Sequence, residues 1–193
     1  MTNNQSTLFD HPDGYGPVSR ALHWLMAALF AWQFLSASLH AVDREMPLTR
    51  FFWPWHMSVG FLLLVAVVLR GIWALINLGN RPAHPTGLLG TAARLGHLAL
   101  YLLMLAVPLL ATLRAYGSGR GLTVFNTQIF AGASERIPAL VEPASALHGL
   151  LGWALLVLVA GHIVMALAHA FVWREDTLSR MLRGRPAPMA RPK

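Results

Sequence analysis

His148 and His162 stand fourteen residues apart inside a segment, 143–173, that contains no Asp, Glu, Lys or Arg. On a helix of 3.6 residues per turn, that spacing puts both imidazoles on nearly one face, about 21 Å apart along the axis. A span of this length crosses a bilayer. An ionisable side chain inside such a span is costly, and is read as functional with its partner to be found. Two imidazoles at two depths of one helix point to two stacked metal centres, and haem is the metal group that such membrane sites suit. The chain has no cysteine, which excludes c-type haem attachment, cysteine-ligated iron–sulfur clusters, thiolate zinc and disulfides. Zinc held by mixed ligands is disfavoured as well, because the charge-free spans offer no carboxylate or thiolate to complete its shell.

The elements that must hold these histidines follow from the charge pattern. Charged residues are 12% of the 193-residue chain and hydrophobic ones 55%, whereas soluble domains carry about a quarter charged residues. The charges leave four long gaps, 21–42, 51–69, 95–113 and 143–173, each close to or beyond the ~20 residues of a spanning helix. The shorter gap 121–134 contains Asn126, Thr127, Gln128 and glycines and reads as a loop. The polar segment 1–19 lacks an apolar signal core, so no cleavage is expected. Pro108 in the third span is expected to make a tolerated kink. The run Phe51, Phe52, Trp53 and Trp55 reads as an interfacial aromatic belt.

Arginine placement orients the bundle. With both termini cytoplasmic, that side holds Arg20, Arg70, Arg81, Arg94, Arg174, Arg180, Arg183, Arg185, Arg191 and Lys193. The other side holds Arg44, Arg50, Arg114, Arg120 and Arg136. This is a positive-inside bias. The basic tail fixes orientation and touches anionic lipid; its charges flank spans and form no groove, so nucleic acid is not an expected partner. The expected organisation is a cytoplasmic segment 1–18, a four-helix membrane domain 19–173 and a basic cytoplasmic tail 174–193.

This topology sorts the histidines by depth. His56 on the second span and His148 on the fourth fall in the outer half. His162 falls in the inner half, facing either His23 on the first span or His97 on the third. A porphyrin lying against a helix needs room about one turn from its ligand, where the i+4 neighbour projects. That neighbour is Ala27 for His23, Gly60 for His56, Gly152 for His148 and Ala166 for His162. For His97 it is Tyr101 and for His169 it is Trp173, which favours His23 as the inner partner. His11, His40 and His84, taken singly, read as solvated surface residues.

The stretches Arg20-Ala-Leu-His23-Trp24, His56-Met-Ser58-Val-Gly60, Leu95-Gly-His97, and His148-Gly-Leu-Leu-Gly152 through His162, His169 and Arg180-Met-Leu resemble the bacterial cytochrome b561 family. The resemblance covers about residues 18–184 in order. It implies an all-α membrane protein of the bacterial inner membrane, a four-transmembrane-helix bundle enclosing two non-covalent haem b groups. Carried over, the outer haem falls to His56 and His148 and the inner one to His23 and His162, in agreement with the depth sorting. The best-studied branch oxidises superoxide outside and reduces ubiquinone near the inner haem. The resemblance gives His169 as a quinone contact and Arg81 or His84 as a second one; where the family carries a further histidine after His169, this chain has Ala170. Arg120, in the turn after the third span, matches an arginine frequent in the family.

A haem with two histidine ligands relays electrons and does not bind oxygen. Superoxide is an anion that the outer arginines could steer, and His169 is suited to supply a proton to reduced quinone. The alternative is a cytochrome b subunit that passes electrons between a docked dehydrogenase or hydrogenase and the quinone pool, its loop 114–143 serving as the docking surface. A second copy of the chain or a redox partner subunit is a possible neighbour in either case. A haem-free transporter is disfavoured by the absence of acidic residues and of paired broken helices in the spans.

Overall fold

The computed structural model describes residues 8–82 and 87–184. Four helical spans long and apolar enough to cross a membrane dominate it: Pro17–Val42, Pro47–Ile76, Gly87–Gly117 and Pro138–Phe171. The first, α1 (Pro17–Val42), starts with proline in its first turn, where the fixed φ suits a helix and the missing N–H is no loss. The second is composite. A short α2 (Pro47–Phe52) passes through a 3-10 turn at Trp53–Trp55 into α3 (His56–Ile76). Pro54 removes one backbone donor there, and the tighter 3-10 turn carries the chain past it. The third, α4 (Gly87–Gly117), remains one helix through Pro108, and the fourth is α5 (Pro138–Phe171). A short α6 (Thr177–Arg183) follows.

Every span exceeds its charge-free gap in length, because helical hydrogen bonding continues into the flanking polar residues. The segment 121–134 departs from its reading as a loop. It forms an antiparallel hairpin of β1 (Leu122–Val124) and β2 (Thr127–Phe130). Phe125 and Asn126 make the two-residue turn with φ of 44° and 67°, the left-handed pair that a type I′ hairpin needs. Strands of three and four residues are too short to show alternation, and the usual glycine is absent from the turn. Gly121 marks the entry: its φ is +69°, and a Cβ there would meet the Phe130 carbonyl oxygen at 2.4 Å. The Phe125 N–H donates to Ser58 Oγ at 3.1 Å and ties the hairpin to α3.

Helix α1 packs along α3, α4 along α5, and α3 joins the two pairs. Met26, Phe30, Leu63, Ala66, Val67, Leu100, Met104 and Leu155 form the core at mid-depth. On α5, two seven-residue stripes divide the surface. Leu150, Val157, Val164 and Phe171 are exposed and present an apolar face suited to lipid. On the other stripe lie His148, Leu155, His162 and His169, with Leu155 only 2% exposed midway between the first two histidines.

The end opposite the hairpin is closed by residues outside the spans. Asp10, whose side chain is fully buried, accepts from the Gly16 N–H through Oδ1 at 2.9 Å and pairs with Arg81 Nε through Oδ2 at 3.1 Å. Its own N–H donates to Oδ1 of the buried Asn77 at 2.9 Å. Phe9 stacks on Trp73 with ring centres 5.3 Å apart. Helix α6 is tied to α1 where Arg20 Nη1 and Trp24 Nε1 donate to the Leu182 and Met181 carbonyls.

Candidate haem-ligand pairs

Two pairs of imidazoles face each other between α5 and the α1–α3 pair. At the hairpin end, His56, the first residue of α3, faces His148 of α5 with ring centres 6.4 Å apart. At the other end, His23 of α1 faces His162 of α5, also at 6.4 Å. An imidazole nitrogen binds a metal at about 2 Å. With each ring centre about 1 Å further back, two rings on opposite sides of one ion are about 6 Å apart. Both pairs fit that span. His97 of α4 also approaches His162, at 5.5 Å, which is shorter than a bridging ion requires.

The hydrogen bonds at the hairpin-end pair leave one nitrogen of each ring for a metal. Ser36, buried in α1, donates its single hydroxyl proton to the Gln33 carbonyl at 2.8 Å. The 2.8 Å contact between Ser36 Oγ and His56 Nδ1 is therefore made by the imidazole N–H as donor. His148 Nδ1 lies 2.9 Å from the Val107 carbonyl, to which only an N–H can donate. Both rings are thus held as tautomers with Nε2 unprotonated. Metal-binding histidines are typically fixed in this way by a second hydrogen bond.

The space one turn beyond each ligand differs between the two helices. A Cβ at Gly152 would meet nothing within 4 Å, as at Gly149 and Gly161 of the same helix. At Gly60 a Cβ would meet Gln33 Nε2 at 2.8 Å. This glycine admits the Gln33 amide, which donates to the His56 carbonyl at 2.9 Å. The space beside Gly60 is taken by the end of the Gln33 side chain.

Other sequence candidates fall in distinct places. His169, at the end of α5, holds Glu175 Oε2 at 2.8 Å through Nδ1, and Trp173 lies edge-on to its ring at 4.6 Å. The Arg81 guanidinium is engaged with Asp10. His84 lies outside the described residues. Arg120 is exposed in the turn after α4, with Nε 3.4 Å from Ser118 Oγ. His40 is not solvated as a lone surface histidine would be: its ring stacks on Trp53 at 3.6 Å, and Trp53 in turn lies 4.8 Å from His56.

Several partners were not visible in the residue pattern. Ser36 and Gln33 are single polar residues in an apolar span, and nothing in their spacing assigns them to His56. Arg70 had a signal that its position beside a span obscured. It follows His56 by fourteen residues, the same interval that separates His148 from His162, so α3 carries a cation at the depth where α5 carries its second histidine.

Comparison with known proteins places the chain among similar sequences. The sequence profile described as prokaryotic cytochrome b561 matches residues 14–184. Cytochrome b561 homolog 2 of Escherichia coli (strain K12) is 34% identical over 180 residues, covering 89% of this chain and 92% of that protein. A protein of Yersinia pestis named probable superoxide oxidase CybB is 26% identical over 174 residues, covering 87% of this chain and 95% of that protein.

Proposed function

The chain belongs to the prokaryotic cytochrome b561 family of transmembrane electron-transfer proteins, and we propose that it takes electrons from superoxide at the outer face and delivers them to ubiquinone at the inner face. In this reading it lies in the bacterial inner membrane with both termini cytoplasmic, and His56 with His148 and His23 with His162 hold two b-type haems. A haem held by two histidines would supply single-electron transfer at each of these pairs. The observation that carries the reading is the repetition of one 6.4 Å histidine pair at two levels of α5.

The chain's own residues supply the rest. Ser36 and Val107 hold the outer imidazoles in the tautomer that presents Nε2. Arg120, exposed at the hairpin end, adds positive charge where a small anion arrives. At the other end His169, joined to the solvent-accessible Glu175, is placed to hydrogen-bond a quinone oxygen and supply a proton as it is reduced. The probable superoxide oxidase among the relatives supports superoxide as the donor.

Stopped-flow mixing with superoxide, with and without a short-chain ubiquinone, tests the proposal. Fast reduction of the chain followed by quinone-dependent reoxidation is expected. A chain that ignores superoxide but is reduced by a co-purifying dehydrogenase would establish the docked-subunit role instead.

A further inference from the structure

Arg70 is a cation inside a membrane span whose hydrogen-bond partners are neutral. Its Nε donates to Tyr101 Oη at 3.2 Å and its Nη1 to the Ser19 carbonyl at 3.1 Å. Ser19 is itself held by Trp73, whose Nε1 donates to Ser19 Oγ at 2.9 Å. The guanidinium therefore has a fixed position, braced against α1 and α4. It is half-buried and within electrostatic reach of both His23 and His162. Two acidic groups near this end are engaged elsewhere: Asp10 pairs with Arg81 and Glu175 with His169.

Arg70 stands at the inner end of its span, half-buried and held in one place, so its charge faces the level of His23 and His162. The Tyr101 and Ser19 acceptors are both neutral, and two hydrogen bonds use fewer than half of the five guanidinium donors. The fork geometry of Arg matches a carboxylate better than any other common anion except phosphate. A b-type haem is held without covalent bonds and brings two propionate carboxylates to its site.

We propose that Arg70 is a binding residue for the haem at His23 and His162, with its guanidinium as counter-ion to that haem's propionates. The inference rests on the reading of His23 and His162 as ligands to a haem. It also gives α3 a role at both levels, as ligand donor at His56 and as anion anchor fourteen residues later at Arg70. Tyr101, which the sequence marks only as bulky, becomes the residue that aims the anchor.

The test is a redox titration of the purified holoprotein, with the inner wave assigned by its absence in His162→Ala. Arg70→Gln should lower the inner midpoint potential, because a positive charge that favours the reduced form is gone. It should also make the inner haem dissociate about tenfold more readily on dilution, with the outer haem unchanged. Arg70→Lys should keep the potential close to the parent value. Tyr101→Phe, which removes the brace but not the charge, should hold the inner potential near the parent value and release the inner haem more readily on dilution than the parent does. An inner potential and haem retention unaffected by Arg70→Gln would overturn the proposal. Should Arg70→Gln yield no folded protein, Arg70→Lys, which keeps the charge and loses the fork, decides: readier loss of the inner haem on dilution with the outer haem unchanged supports the anchor, and inner-haem retention equal to the parent's contradicts it. Absence of an inner haem from the parent chain would instead refute the ligand reading itself.

Discussion

Ser36 Oγ and His56 Nδ1 lie 2.8 Å apart, and the hydroxyl is the acceptor because its proton is already given to Gln33. One buried serine thereby decides which nitrogen of a proposed haem ligand is available to iron. Ser36→Ala should leave the His56 N–H without a partner in an apolar surrounding, at a cost of about 1–3 kcal/mol. The outer haem should bind about 10–100-fold more weakly, the usual effect of losing such a support. Haem retention during dilution and gel filtration, read separately for the two haems, checks this.

The choice between His23 and His97 as partner of His162 is tested by paired variants. His23→Ala should lose one haem, since its ring stands at the separation an intervening ion requires. His97→Ala should retain both, its ring lying closer to His162 than an ion between them allows. Haem-to-protein ratios by pyridine haemochrome decide the matter. The reverse result would transfer the inner site to α4.

The four spans and the depth order of the histidines were legible in the sequence for a simple reason. Exclusion of charge from a bilayer acts over ~20 residues at a time, and helical periodicity then fixes which residues share a level. The hairpin at residues 122–130 was not legible, because a turn of Phe125 and Asn126 relies on tertiary support from Ser58. Nor was the role of Gly60 readable, since a small residue in a span equally admits a cofactor or a neighbouring side chain, here Gln33. Asp10 gave no signal at all. Its importance comes from contacts with Asn77 and Arg81, about seventy residues away.

Asp10→Ala should destabilise the protein by about 3 kcal/mol, the scale for removing one partner of a buried ion pair. The Gly16 N–H loses its acceptor in the same change. Thermal unfolding in detergent should show a lowered midpoint, and haem content at low temperature should be preserved, because Asp10 touches neither histidine pair.

The two ends of the electron path should separate by mutation. Arg120→Glu should slow reduction by superoxide and flatten its dependence on ionic strength, because an exposed cation acts on an anion through a screened field. His169→Ala should leave that step intact and slow reoxidation by short-chain ubiquinone. Stopped-flow traces at two salt concentrations resolve both effects.

Two haem sites at two depths of one helix are the central expectation for this chain. Haem quantification and low-temperature difference spectra of the parent chain, His148→Ala and His162→Ala test this. The predicted result is about two acid-acetone-extractable b haems per parent chain, with each variant keeping one haem and the two retained haems differing in spectrum. A folded parent chain without haem, or two variants that keep the same single haem, would contradict it.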